Sequence, residues 1–225
     1  MPRPLGPGRA ESIVGYAQNA LDNDYGAVMT GAQFVNCTGT GEIALASLSP
    51  KAENMTADDL AGYIEIQTLD HAGRTVDSYV WNGEGWEGDD ETTFPAGTGL
   101  WVFNQVGADT KVSLQSSGQV TTSDVVIMLD SDYGAIGIAN PFPVSVTLAE
   151  ILPECGNMTA EELAGYVEIQ TLDHAGQTVD SYVWNGEGWE GDDEEKEIEA
   201  GTGLWVFNQV GNDSAVSLRI PAPEL

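Results

Sequence analysis

Basic residues are scarce in this chain. Seven Lys and Arg stand against 36 Asp and Glu over 225 residues, a formal charge of −29. Binding a nucleic-acid backbone relies on cations that displace its counterions, so a nucleic-acid partner is not expected. Anionic lipid is repelled for the same reason. The field favours cations, basic partners and solubility instead. Long apolar runs are missing as well, which argues against a membrane-spanning helix and membrane insertion. The opening "MPRPLGPGRAES" lacks the apolar stretch of a signal peptide, and residues 1–10 read as a flexible leader. Cysteine is limited to Cys37 and Cys155, with no Cys-x-x-Cys pair. Zinc and dithiol chemistry have no support in that spacing, while a disulfide and two separate thiols both stay open. The long amphipathic Ala/Leu/Glu/Lys stretches of a helical protein are also absent.

What is present is repetition. "SYVWNGEGWEGDDE" occurs at 78–91 and again, unchanged, at 181–194. Residues 65–91 match 168–194 everywhere except Arg74 against Gln177. "AGTGLWVFNQVG" recurs at 96–107 and 200–211, and "LDNDYGA" at 21–27 answers "LDSDYGA" at 129–135. Two tandem copies follow, one over 11–117 and one over 118–225, with the boundary in "QSSGQVTTS". A hydrophobic content of 41% is enough to give them packed cores.

The periods within each copy are those of strands. In "GYIEIQTLD", Ile64, Ile66 and Thr68 alternate with Tyr63, Glu65, Gln67 and Leu69. "DHAG" supplies a turn in which Gly73 suits a positive φ, and "TVDSYVWN" completes a hairpin. "NGEG" is the next turn, and "GLWVFN" and "KVSLQ" read as further strands, with "ESIVGYAQNAL" and "TTSDVVIML" as opening ones. Thr56 with Asp59, and Thr159 with Glu162, form capping-box patterns that predict one short helical turn per copy. The fold class is therefore all-β: two tandem homologous units, sandwich- or barrel-like, in a pseudo-twofold arrangement.

"ANPFPVSVTLAEIL", "IEIQTLDHAG", "SYVWNGEGW" and "AGTGLWVFN" together resemble a loose set of bacterial secreted or cell-surface proteins. Those are built from units of about 100 residues carrying the same motifs in the same order. The resemblance covers residues 118–220 nearly throughout. It is weaker over 11–114, where "GAQFVNCTG" replaces the Asn-Pro-Phe-Pro form. It implies an extracytoplasmic β-rich module and carries over no catalytic residue.

Two surfaces are candidates for function. Trp86 and Trp189, flanked by Gly and Glu, are expected to be exposed, and with Tyr79 and Tyr182 they form the candidate ligand-binding set. Flat aromatic faces beside carboxylates suit sugar rings; in contrast, Trp101 and Trp205 sit in apolar runs and read as core. The acid-rich loops supply Asp89, Asp90, Glu91, Asp192, Asp193 and Glu194 as candidate Ca²⁺ ligands, with a solvated turn as the alternative. Asp22, Asp24, Asp130 and Asp132 do not complete an EF-hand loop. His71 and His174 read as turn residues, and no nucleophile motif pairs with them.

The expected function is a non-catalytic, secreted or cell-surface structural or adhesive module. It would bind carbohydrate or Ca²⁺ through the Trp corners and acidic loops, with a polysaccharide or another surface protein as partner and no required cofactor. A hydrolase acting on polysaccharide, and an acidic protein binding a basic partner, are the alternatives.

Overall fold

In the computed structural model the described residues are 14–21, 27–30, 42–70, 72–88, 91–107, 110–129, 134–173, 177–191, 195–211 and 215–223. They form an all-β protein. The first half contains β1 (Val14–Ala20), β2 (Ala27–Thr30), β3 (Glu42–Ala44), β4 (Leu48–Ala52) and β5 (Ile64–Leu69). It continues with β6 (Thr75–Trp81), β7 (Trp86–Glu87), β8 (Thr93–Pro95), β9 (Leu100–Asn104) and β10 (Val112–Gln119). The second half contains β11 (Val125–Met128), β12 (Gly134–Ala139), β13 (Val146–Thr147), β14 (Leu152–Cys155) and β15 (Val167–Leu172). Its last strands are β16 (Thr178–Trp184), β17 (Trp189–Gly191), β18 (Glu197–Ile198), β19 (Gly203–Asn208) and β20 (Val216–Ile220).

The strand orders match from half to half. β2-β9-β5-β6-β7 and β12-β19-β15-β16-β17 are five-stranded sheets. β1-β10-β4 and β11-β20-β14 are three-stranded, and β3-β8 and β13-β18 are pairs. The alternation read in "IEIQTL" holds: Ile64 and Ile66 are fully buried, and Glu65 and Gln67 point to the other face. One apolar cluster draws Ile43 from β3, Leu48 from β4, Ile66 from β5, Trp81 from β6, Val102 from β9 and Leu114 from β10, so three sheets share a core. A second cluster holds Ile151, Ile169, Trp184, Val206 and Leu218 in the same way.

The helical expectation is met only in part. Thr56 N–H donates to Asp59 Oδ2 at 2.9 Å, and Asp59 N–H donates to Thr56 Oγ1 at 3.3 Å, so the capping box exists. The Thr56 N–H bond first, and then the Thr56 hydroxyl, which donates to Asp59 Oδ2 at 2.7 Å, hold the Asp59 carboxyl below its ordinary range. Yet only a 3-10 turn, Asp58–Leu60, follows. The chain then turns away because Gly62 N–H donates to the carbonyl of Trp81 at 2.7 Å instead of extending the helix. Thr159 and Glu162 form the same box, and residues 160–166 are turns, with Gly165 bonded to Trp184 at 2.7 Å.

The halves meet through backbone. Gly99 N–H donates to the Gly137 carbonyl at 3.0 Å, and Ala139 N–H donates to Gly97 at 2.8 Å. Beside this pairing Trp101 and Trp205 line one small cavity of about 120 Å³ with Leu69, Ile127 and Ile136. Both Trp residues are half-buried on the outer faces of their sheets, not in the cores as their apolar neighbours suggested. Leu100 and Val102 fill the core, and a period of two sends Trp101 to the opposite side.

The Asn-Pro-Phe-Pro turn of the second half is knotted by Asn140, which is 1% exposed. Its Nδ2 donates to the carbonyls of Val144 at 2.8 Å and Ile198 at 3.0 Å, and its Oδ1 accepts from Phe142 N–H at 3.0 Å.

Candidate functional site

The repeated segment builds a corner. The β5–β6 hairpin closes at Asp70–Arg74, where Gly73 takes a φ of 72° and donates to the Asp70 carbonyl at 2.9 Å. Arg74 Nε donates to Asp70 Oδ2 at 2.8 Å. That bond, followed by the Arg74 backbone bond, lowers the Asp70 carboxyl to about 2. The strand then ends at Trp81 and reverses through "NGEG". Asn82 Oδ1 accepts from Glu84 N–H at 3.0 Å and Gly85 N–H at 2.9 Å, an Asx-type turn that sets Trp86 opposite Trp81 in β7.

The two indoles pack edge to face, with centroids 5.4 Å apart and planes at 72°. Trp81 Nε1 donates to the Ala57 carbonyl at 3.0 Å, and Trp86 Nε1 to the Leu48 carbonyl at 2.9 Å. The corner thus ties the Thr56 turn and β4 to the end of the hairpin. Trp184 and Trp189 repeat the arrangement at 5.4 Å and 70°, bonded to Ala160 at 3.0 Å and Ile151 at 2.8 Å.

This corrects the expectation of exposed corner rings. Trp86 and Trp189 are 6% and 4% exposed, and Tyr79 and Tyr182 are 7% and 0%. Both indole N–H groups of each pair are spent on backbone carbonyls, so the rings are plugs and not open stacking platforms. Tyr79 packs edge-on against Phe94 at 6.1 Å. What reaches solvent is the rim of the first corner. There, Trp81 and Trp86 form part of the wall of a cleft of about 520 Å³, completed by Leu45, Ala46, Leu48, Ser49, Asn82, Glu84 and Gly85. A second cleft of about 600 Å³ shares Ser49, Trp81 and Glu84 with it and runs along β4 past Lys51 to Met55 and Thr56. Apolar walls with a few polar groups at the rim, in this range of volume, are usual for a ligand site.

The outer face of each hairpin carries a polar ladder. Glu65 Oε1 accepts from Gln67 Nε2 and Ser78 Oγ, each at 2.6 Å, and Gln67 Oε1 accepts from Thr75 Oγ1 at 2.8 Å. Glu168, Gln170, Ser181 and Thr178 repeat it at 2.6, 2.6 and 2.7 Å. These carboxylates are engaged within their own sheet. The ladder follows from strand alternation plus the hairpin register, both legible in sequence.

Of the candidate Ca²⁺ ligands, Asp89, Asp90, Asp192, Asp193 and Glu194 lie outside the described residues, and Glu91 is exposed. Cys37, His71, His174, Asp22, Asp24, Asp130 and Asp132 also lie outside them. Among the described residues no group of three or more His, Cys, Asp or Glu side chains comes together. Cys155 is a free thiol whose Sγ lies 2.9 Å from Asn157 Oδ1. The part of the site that sequence reasoning missed is β4: Ser49 and Lys51 lie about 30 residues or more from the corner and carry no motif. Comparison of the chain with protein-family models gives no match, and comparison with curated proteins gives none either.

Proposed function

We propose that this chain is a non-catalytic structural or adhesive module that acts outside the cytoplasm and holds a polysaccharide segment in the cleft under its first Trp corner. The observation that carries the reading is the cleft itself: indole edges of Trp81 and Trp86 on one wall, with Ser49, Asn82 and Glu84 at the rim. Apolar ring edges meet the C–H faces of a sugar, while amide, hydroxyl and carboxylate groups meet its hydroxyls. The resemblance to secreted and cell-surface repeat proteins supports the location.

Calorimetric titration with a panel of oligosaccharides tests it. Saturable binding by the native chain is expected, and Ser49→Phe, which fills the cleft from an outward-facing position of β4, is expected to weaken it about tenfold or more while the thermal melt moves little. A panel that gives no saturable heat, or a Ser49→Phe chain that binds like the native one, refutes the reading.

A further inference from the structure

We infer that the saccharide held at this site is anionic, a chain of carboxylate-bearing sugars, with one carboxylate seated at Lys51 and Lys111. The inference rests on the proposed saccharide-binding function and names its ligand class.

The cleft beside the corner does not end at Trp81. Ser49, Trp81 and Glu84 pass it on to the space along β4, whose lining includes Lys51 and Ala52. Those two residues also line a third cleft, of about 320 Å³, with Lys111, Val112 and Gln115. The three spaces share lining residues in series, and the proposed ligand lies along them from the Trp corner to the β4–β10 end.

Cations are rare in this molecule, and two of its seven lie at that end. Register explains how they meet. Lys51 pairs with Ser113 in the β4–β10 ladder, and Lys111 immediately precedes β10, so residues 60 apart in sequence face one cleft. Among the described residues neither lysine forms an ion pair. Among the described residues of that lining Glu53 is the one acid, so two ammonium groups face one described carboxylate. That local excess of one positive charge suits a ligand carrying about one charge per sugar. A heavily sulfated sugar at that end would bring two or more charges against a net of one and would crowd them onto Glu53. The charge of −29 does not override this locally, because at physiological ionic strength charges farther than about 8 Å are largely screened.

The second half supplies an internal comparison. Its counterpart of Lys51 is Glu154, and its counterpart of Lys111 is Ala215. Glu154 is already engaged by Arg219 Nε at 2.7 Å. The cationic end therefore belongs to the first half alone. Lys51→Glu with Lys111→Ala puts the sister half's residues at these two positions, while the partner of Glu154, Arg219, is answered in the first half by Gln115.

The test compares tetragalacturonate, cellotetraose, a sulfated tetrasaccharide and a glutamate tetrapeptide by calorimetry at low and at physiological salt. The account expects tetragalacturonate to bind at least about tenfold tighter than the other three, with affinity falling as salt rises. In the Lys51→Glu/Lys111→Ala chain that advantage over cellotetraose is expected to vanish. Equal binding of the neutral and acidic sugars, unchanged by the double substitution, overturns the anionic inference and leaves the saccharide reading standing. Tighter binding of the sulfated sugar or of the peptide overturns the ligand class. If no saccharide binds at all, both the inference and the proposed function fall.

Discussion

Replacing Trp86 separates a plug from a platform. The ring is 6% exposed, packs 5.4 Å from Trp81 and donates to Leu48 at 2.9 Å. A buried Trp removes on the order of 200 Å² from water, which at about 25 cal/mol per Å² is about 5 kcal/mol as an upper bound. Truncating such rings to Ala costs about 3–5 kcal/mol in practice, because the cavity collapses only partly. Trp86→Ala is thus expected to cost about 4 kcal/mol, a large share of the roughly 5–15 kcal/mol by which domains are stable. Trp86→Phe keeps an aromatic edge but leaves the Leu48 carbonyl without its donor, a loss of about 1–2 kcal/mol. Urea unfolding is the assay. With a slope near 2 kcal/mol per molar, the midpoint of the affected transition is expected to move down by about 2 M for Ala and by about 0.5–1 M for Phe. The two cores need not unfold together, so Trp189→Ala serves as the matched control for the second transition. A Trp86→Ala chain within about 1 kcal/mol of native would refute the plug and restore the exposed platform.

Three further outcomes follow from particular contacts. Asn140→Ala removes donors from the Val144 and Ile198 carbonyls and the acceptor from Phe142, so a stability loss of about 2–4 kcal/mol by urea unfolding is expected; a loss under about 1 kcal/mol would show that the turn holds without it. Gly99→Ala places a Cβ 2.7 Å from the Gly137 carbonyl carbon, and slowed hydrogen exchange at Gly99 and Ala139 is expected to disappear; unaltered protection would contradict the pairing between the halves. Asp70 ionises at about 2, so its contribution is present above the ordinary carboxylate range near pH 4 and is lost as pH falls through about 2. Arg74→Gln, the residue its counterpart Gln177 already is, should raise that value in a carboxyl NMR titration, and an unmoved titration would refute the Arg74 assignment.

How much of this was legible depended on range. The β5–β6 hairpin needed only neighbours: Ile64 and Ile66 alternate with Glu65 and Gln67, and "DHAG" marks the reversal. The capping boxes and the shortness of the turns after them were legible too, but not what stops them: bonds from Gly62 to Trp81 and from Gly165 to Trp184, each about 20 residues away. Sequence neighbours mislead about the burial of the tryptophans. Gly and Glu around Trp86 suggest solvent, yet its partners are Trp81 and a β4 carbonyl 38 residues back. Apolar neighbours around Trp101 suggest core, yet Leu100 and Val102 occupy it. The clefts were not legible at all, since Ser49 meets Glu84 only through a turn and Lys51 meets Lys111 only through sheet register.

Where the saccharide sits is read most directly from an indole N–H map in a ¹H–¹⁵N spectrum as tetragalacturonate is added to the full chain. The account predicts that the Trp81 and Trp86 signals, at the rim of the first cleft, shift and saturate together, while Trp184 and Trp189 stay in place. Equal shifts at both corners, or shifts confined to Trp101 and Trp205, would contradict it.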